Sequence, residues 1–181
     1  GAAPLLERAF EMSQERFGDH GTQTAVAAAA LGRLRFAQGR VDEAEALFDT
    51  VYRDRLRSLG ADHPDSAEVE LDLATLFLDQ GSTETARLLV SKALPTLKRS
   101  LGPASWRVAE AEGLLGVVLL REQRIEQAEP CLRDSLERLE GSLGPRSPFT
   151  RQARRRLAEI ADRPSPIKTG HGPRRPPGGR N

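Results

Sequence analysis

Residues 59–67 read LGADHPDSA, which sets Asp62, His63, Asp65 and Ser66 within five positions. An acid, a base and a nucleophile side by side are the elements of covalent hydrolysis. They are also the elements of a polar turn, and the rest of the chain decides between the two. Gly18, Gly60, Gly102 and Gly144 stand 42 residues apart, each after a large apolar residue: Phe17, Leu59, Leu101 and Leu143. The copies of the stretch read FGDHGTQTA from Phe17, LGPASWRVA from Leu101 and LGPRSPFTR from Leu143. His63 faces Gly21, Ser105 and Ser147 in them, and Ser66 faces Thr24, Val108 and Thr150. What persists is the glycine, a residue suited to the left-handed turn that closes a helix. Pro64 and Pro148 suit the first turn of the next helix, and Ser105 and Ser147 suit its cap. The stretch reads as a linker, and His63 has no catalytic role in it.

The same 42-residue period orders the apolar residues. Ala2, Ala44, Ala86 and Ala128 share a column, as do Leu31, Leu73, Leu115 and Leu157. Leu34, Leu76, Val118 and Ile160 form a third, and Leu5, Leu47, Leu89 and Cys131 a fourth. Within a unit, Val69, Leu73, Leu76 and Phe77 recur at the three-and-four spacing of an amphipathic helix. A break follows at QGR (38–40) and QGS (80–82), replaced by EQR in the third copy. A second helix then presents Ala44, Leu47, Phe48, Val51 and Tyr52 on one face. There are no alternating apolar runs of the kind strands need, so the fold class is all-α.

This grammar resembles the tetratricopeptide repeat, in the 42-residue variety of kinesin light chains that also occurs in bacterial multidomain proteins. The resemblance rests on the pairs Leu31–Gly32, Leu73–Ala74, Leu115–Gly116 and Leu157–Ala158, on QGRVDEAEALF at 38–48, and on the linker. It covers residues 2–162 and implies a right-handed superhelical array of antiparallel helix pairs, about eight helices in all. The division is a half-repeat at 1–18, repeats at 19–60, 61–102 and 103–144, and a capping helix at 145–162. Residues 2–17 align with second helices alone, which reads as the C-terminal part of something longer. The capping helix carries Arg151, Arg154, Arg155 and Arg156, which suit a solvent-facing end. Residues 163–181 hold five bases, no acid and many Pro and Gly, and are expected to be a disordered basic tail.

Composition narrows the function. Net charge is +1 overall, but residues 1–162 are net acidic once the basic tail is set aside. The lone Cys131 allows neither an internal disulfide nor a multi-cysteine zinc site, and it stands in a leucine column. Its three histidines are scattered over two linkers and the tail, and no glycine-rich phosphate loop is present. No cofactor and no metal are expected, and the chain reads as not an enzyme. No apolar run approaches the ~18 residues that span a bilayer. Trp106, at the start of a first helix, either packs over its linker or stands out as a binding anchor.

The resemblance further implies that first helices line a concave face. The positions that would face it are Ala29, Arg33 and Phe36, then Leu71, Thr75 and Leu78, then Gly113, Val117 and Leu120. They make a mostly apolar strip with one charge, suited to an amphipathic helix or an extended peptide. The asparagine that the family often carries just before the Leu-Ala pair, where it can hold a ligand backbone, is replaced by Ala30, Asp72, Leu114 and Arg156. A self-packing or scaffolding role therefore stays open. The reading is a cytoplasmic protein-binding scaffold with a protein or peptide ligand and no small-molecule substrate. Only three of 27 basic residues are Lys, a bias common in GC-rich bacteria. By analogy the parent would be a bacterial signalling protein, for example with a serine/threonine kinase domain. The alternatives are a nucleic-acid-binding accessory using Arg151 to Arg156, or a non-catalytic fragment of another enzyme.

Overall fold

Three of the four longer linkers share their backbone bonds: Gly18, Gly102 and Gly144 each donate to the carbonyl four residues back, and Gly21, Ser105 and Ser147 donate to those glycines' carbonyls. The structure, a computed structural model, describes residues 2–161, so the expectation for the 163–181 tail lies outside the described residues. Eight helices follow one another: α1 (Ala2–Phe17), α2 (Thr22–Ala37), α3 (Val41–Ser58), α4 (Pro64–Asp79), α5 (Thr83–Leu101), α6 (Trp106–Arg121), α7 (Ile125–Leu143) and α8 (Pro148–Ala161). No strand occurs among the described residues.

The LGADHPDSA stretch is the α3–α4 linker, and each of its polar groups serves that turn. Gly60 sits at φ +89°, in the left-handed region. His63 caps α4, its Nδ1 accepting from the Asp65 N–H at 3.2 Å. The Ser66 hydroxyl is fully buried and donates to the Gly60 carbonyl at 2.8 Å. Asp65 pairs with Arg55, and Asp62 with Arg99. The hydroxyl recurs at Thr24, which donates to the Gly18 carbonyl at 2.7 Å. The His63 bond satisfies a first-turn N–H of α4 that would otherwise be orphaned.

Within each unit the tighter break has its own geometry. Arg40 donates its N–H to the Arg35 carbonyl, Ser82 to Phe77, and Arg124 to Leu119, the six-residue closure that ends a helix with one left-handed residue. That residue is Gly39 or Gly81 in the first two units. In the third it is Gln123, at φ +63°.

Each helix packs on its neighbours in sequence, and the first-type helices α2, α4, α6 and α8 also touch one another in turn. The second-type helices α3, α5 and α7 do not. The first-type helices therefore lie on the inner side of a curved array. The core is made of Leu, Val and Ala, with Ala44, Ala86 and Ala128 wholly buried where helices approach closely. Trp106 packs against Phe149, ring centroids 4.9 Å apart, in a small cluster with Leu139 and Ala153. It is a packing residue over its linker.

Candidate functional site

The inner face is not the apolar strip that residue type suggests. Its centre is a layer of crossed charges from α2, α4, α6 and α8. Arg33 Nε donates to Asp72 Oδ1 at 2.8 Å. Arg107 Nε lies 3.0 Å from Glu68, and its Nη1 lies 3.4 Å from Glu110. The Arg107 guanidinium also stacks 4.0 Å from the centroid of the Trp106 ring. Burial pushes the carboxyls of Asp72 and Glu110 up from their ordinary values, against the pull of Arg33 and Arg107. Burial also lowers the pKa of Arg156, whose charge is favoured by Glu110 and Glu159. Among the described residues no group hydrogen-bonds the Arg156 guanidinium.

Beside this layer a cleft of about 280 Å³ opens between α2, α4, α6 and α8. Phe36, Leu78, Leu114 and Val117 supply its apolar wall. Arg121, Arg155 and Arg156 face Asp79 and Glu159 around it. Among the described residues Arg121 and Arg155 form no ion pair, whereas most arginines of the array do.

The expected positions fall on this face with some corrections. Arg33, Leu71 and Thr75 border the charged centre, and Phe36, Thr75, Leu78 and Val117 border the cleft. Leu120 borders neither and lies wholly inside the core, whereas Leu78, Leu114 and Val117, buried members of that same core, form its edge where it meets the cleft. Gly113 is likewise a packing residue, since a Cβ there would run into the Ser135 side chain of α7. Asp72, Arg107, Glu110, Leu114 and Arg156 also line this face, beyond the positions expected from the sequence. Asp72, Leu114 and Arg156 occupy one column, the position before the Leu-Ala pair, so the sequence did carry a signal for them. These replacements of the family's asparagine themselves line the face.

The arginines of α8 do not form one basic face. Arg154 pairs with Glu140, Arg151 donates to the Arg146 carbonyl at 3.1 Å, Arg155 borders the cleft and Arg156 turns into the charged centre. Cys131 is half-buried, and burial, with Glu112 and Asp134 nearby, raises its thiol pKa, the opposite of an activated nucleophile. Among the described residues no group of three or more His, Cys, Asp or Glu could hold a metal ion. No helix of the described residues is long and apolar enough to cross a membrane.

Helix pairs on a 42-residue period, broken at left-handed residues and lined inside by first helices, match a tetratricopeptide repeat model over residues 2–55 and 24–99. The chain belongs to the tetratricopeptide repeat family. Among solved structures it is similar to BtubC (BKLC) from P. vanneervenii, with a TM-score of 0.67 and 22% identity over 87% of this chain. The chain spans 63% of that protein. It is also similar to a putative kinesin light chain of Podospora anserina built from TPR-like repeats, with a TM-score of 0.63 and 18% identity, covering 88% of this chain and 75% of that one. A search of the curated proteins finds no match. At these identities the likeness concerns the fold, a kinesin-light-chain-like tetratricopeptide array. Such repeats are protein-binding scaffolds and typically non-catalytic.

Proposed function

We propose that this tetratricopeptide array captures a protein segment in the cleft between α2, α4, α6 and α8. The observation that carries the reading is the coexistence there of an apolar wall with guanidiniums that no described carboxylate pairs. Elsewhere on the inner face charge is already matched within the fold, so Arg33 and Arg107 are structural before they are ligand contacts. A fitting ligand is an extended or helical peptide that places an apolar side chain against Phe36, Leu78 and Val117 and an acidic group near Arg121 and Arg155. Burial of the apolar residue would supply most of the affinity and the charge contacts the register. The wider setting, a cytoplasmic module of a bacterial signalling protein such as one with a kinase domain, rests on analogy and on the arginine-rich composition.

The nucleic-acid reading is weaker. Phosphate binding favours a cluster of bases on one face, and the α8 arginines are spread over several surroundings. The two readings separate in a selection of displayed peptides against the 181-residue chain, followed by fluorescence titration of the winners and of single-stranded DNA. Acidic, apolar peptides should be enriched. Their affinity should drop about tenfold or more with Arg121→Glu plus Arg155→Glu, while circular dichroism is unchanged. Peptide binding that ignores that double change would move the site off the cleft. Tight, steeply salt-dependent DNA binding with no peptide enrichment would favour the other reading.

A further inference from the structure

A second recess lies on the other side of the array, bounded by second-type helices. Between α1, α2 and α3 is a cavity of about 330 Å³, a size at the low end for ligand pockets. Phe10, Ala28, Leu47 and Val51 form its apolar floor, and Asp19 and Asp54 stand at its rim.

The 42-residue register shows what the same recess holds in the next two units. One period on, Phe10, Ala28 and Thr50 become Tyr52, Glu70 and Lys92. There the Lys92 ammonium lies 2.5 Å from Glu70, 2.8 Å from the Tyr52 hydroxyl and 5.4 Å from the centroid of the Tyr52 ring. Two periods on, Glu112 takes the place of Ala28, with Lys98 at 2.7 Å and Arg138 also paired to it. In both sister units a half-exposed cation on an aliphatic stem is thus held against a carboxylate of that column. In the first unit the corresponding columns hold Ala28, Thr50 and Gln14, so those columns supply neither a cation nor the volume of a long basic side chain.

The carboxylate is present but displaced. Asp54 takes the column of Thr96 and Arg138, and its side chain is 11% exposed. It is met by His20 Nδ1 at 2.9 Å and Arg57 Nη1 at 3.3 Å, both on side chains 71% exposed. Asp19 accepts from Gln14 Nε2 at 3.0 Å. Ion pairs to such exposed partners contribute little, so an incoming cation can displace them.

We propose that the recess between α1, α2 and α3 is a binding site for the cationic end of an arginine or lysine side chain presented by a partner protein. The aliphatic stem lies along Leu47 and Val51, as long basic side chains commonly lie on apolar surface. The head meets Asp54 and Asp19 in charge-assisted hydrogen bonds. Phe10 offers the ring face that Tyr52 offers to Lys92. This site is independent of the cleft on the first-helix side.

The test uses n-butylguanidinium and its uncharged isostere n-butylurea on the full chain, followed by amide chemical shifts. The cation should shift Ala25, Ala28 and Val51 saturably, and the urea about tenfold more weakly. Asp54→Asn should weaken the cation to about the level of the urea, and Ala28→Met, which fills the recess, should abolish both responses. A second arm does not need a tight probe. Ala28→Glu copies the Glu70 and Glu112 column without its cation, so it should lower the melting temperature. Butylguanidinium should restore that loss and butylurea should not. Equal response to both probes would leave only an apolar hole and overturn the proposal. So would shifts that survive Ala28→Met, no response to the cation, or an Ala28→Glu melt indifferent to it; should Ala28→Met not fold, Asp54→Asn decides.

Discussion

Arg33 and Asp72 meet across α2 and α4, with Nε 2.8 Å from Oδ1 and Nη2 2.7 Å from Oδ2, although 39 residues separate them. Asp72 is largely out of water, and Arg33 is the more open partner. Neither residue recurs in the repeat: the column of Asp72 holds Ala30, Leu114 and Arg156. The charged layer on the inner face is therefore not a property of the chain's period.

Burial raises the pKa of Asp72 and of Glu110, so the folded chain keeps these protons to higher pH than the unfolded chain does. Their contribution to stability is greatest below the ordinary carboxylate value of about 4. It falls as pH rises from there through the raised folded values. Replacing both, Asp72→Asn with Glu110→Gln, removes that component. The wild-type minus variant unfolding free energy, measured by urea melts from pH 4 upward, should slope downward and then level off. A difference flat across that range contradicts the burial of these groups.

Gly32 approaches Phe48 so closely that a Cβ would sit 2.7 Å from its ring, and Gly116 stands in the same relation to Leu132. In the middle unit the column holds Ala74, and the facing residue is the smaller Val90. Volume is thus exchanged across the helix pair. Gly32→Ala should cost about 1–3 kcal/mol, as overpacking does. In the background of Phe48→Val the same change should be near neutral, which a double-mutant cycle by thermal melts would read as coupling. Additive losses would refute the pairing.

Gln123 holds the left-handed position that Gly39 and Gly81 hold in the other units. A side chain there costs roughly 1–2 kcal/mol, and glycine returns part of that gain as unfolded-state entropy. Gly81→Ala should therefore lower stability by about 0.5–1 kcal/mol. A denaturant midpoint left unchanged or raised by Gly81→Ala would show that a side chain at this position carries no strain.

Glu70 is wholly buried, with Tyr52 at 2.8 Å and Lys92 at 2.5 Å. Lys92→Met would leave a buried carboxylate with one neutral donor and should cost about 1–3 kcal/mol. Adding Glu70→Gln should recover part of the loss. Chemical denaturation of the three variants checks this; a loss as large or larger in the double variant would show that Glu70 serves something besides the pair.

Leu76→Ala, at a side chain with no exposure, should cost about 2–5 kcal/mol. Leu115→Ala should cost less, because Leu115 is only partly buried although it shares the conserved spacing of Leu73. Equal losses in thermal melts would show that column membership, not burial, sets the energy.

The period of the chain by itself determined the all-α class, the helix pairs and their breaks, because helix starts, stops and apolar faces are local and repeat with the sequence. It also settled that LGADHPDSA is a linker, since a turn must recur in every copy whereas a catalytic group need not. It did not show that His63 caps α4, or that Leu120 sits in the core while Leu114 lines the cleft. Residues 114, 117 and 120 point only about 60° apart in succession around the helix, and which of them faces inward depends on how far α6 is rotated against α4 and α8. Pairs such as Arg33 with Asp72, and the recess beside Asp54, join residues from different helices. They arise from packing distances between elements, which no single-helix periodicity encodes.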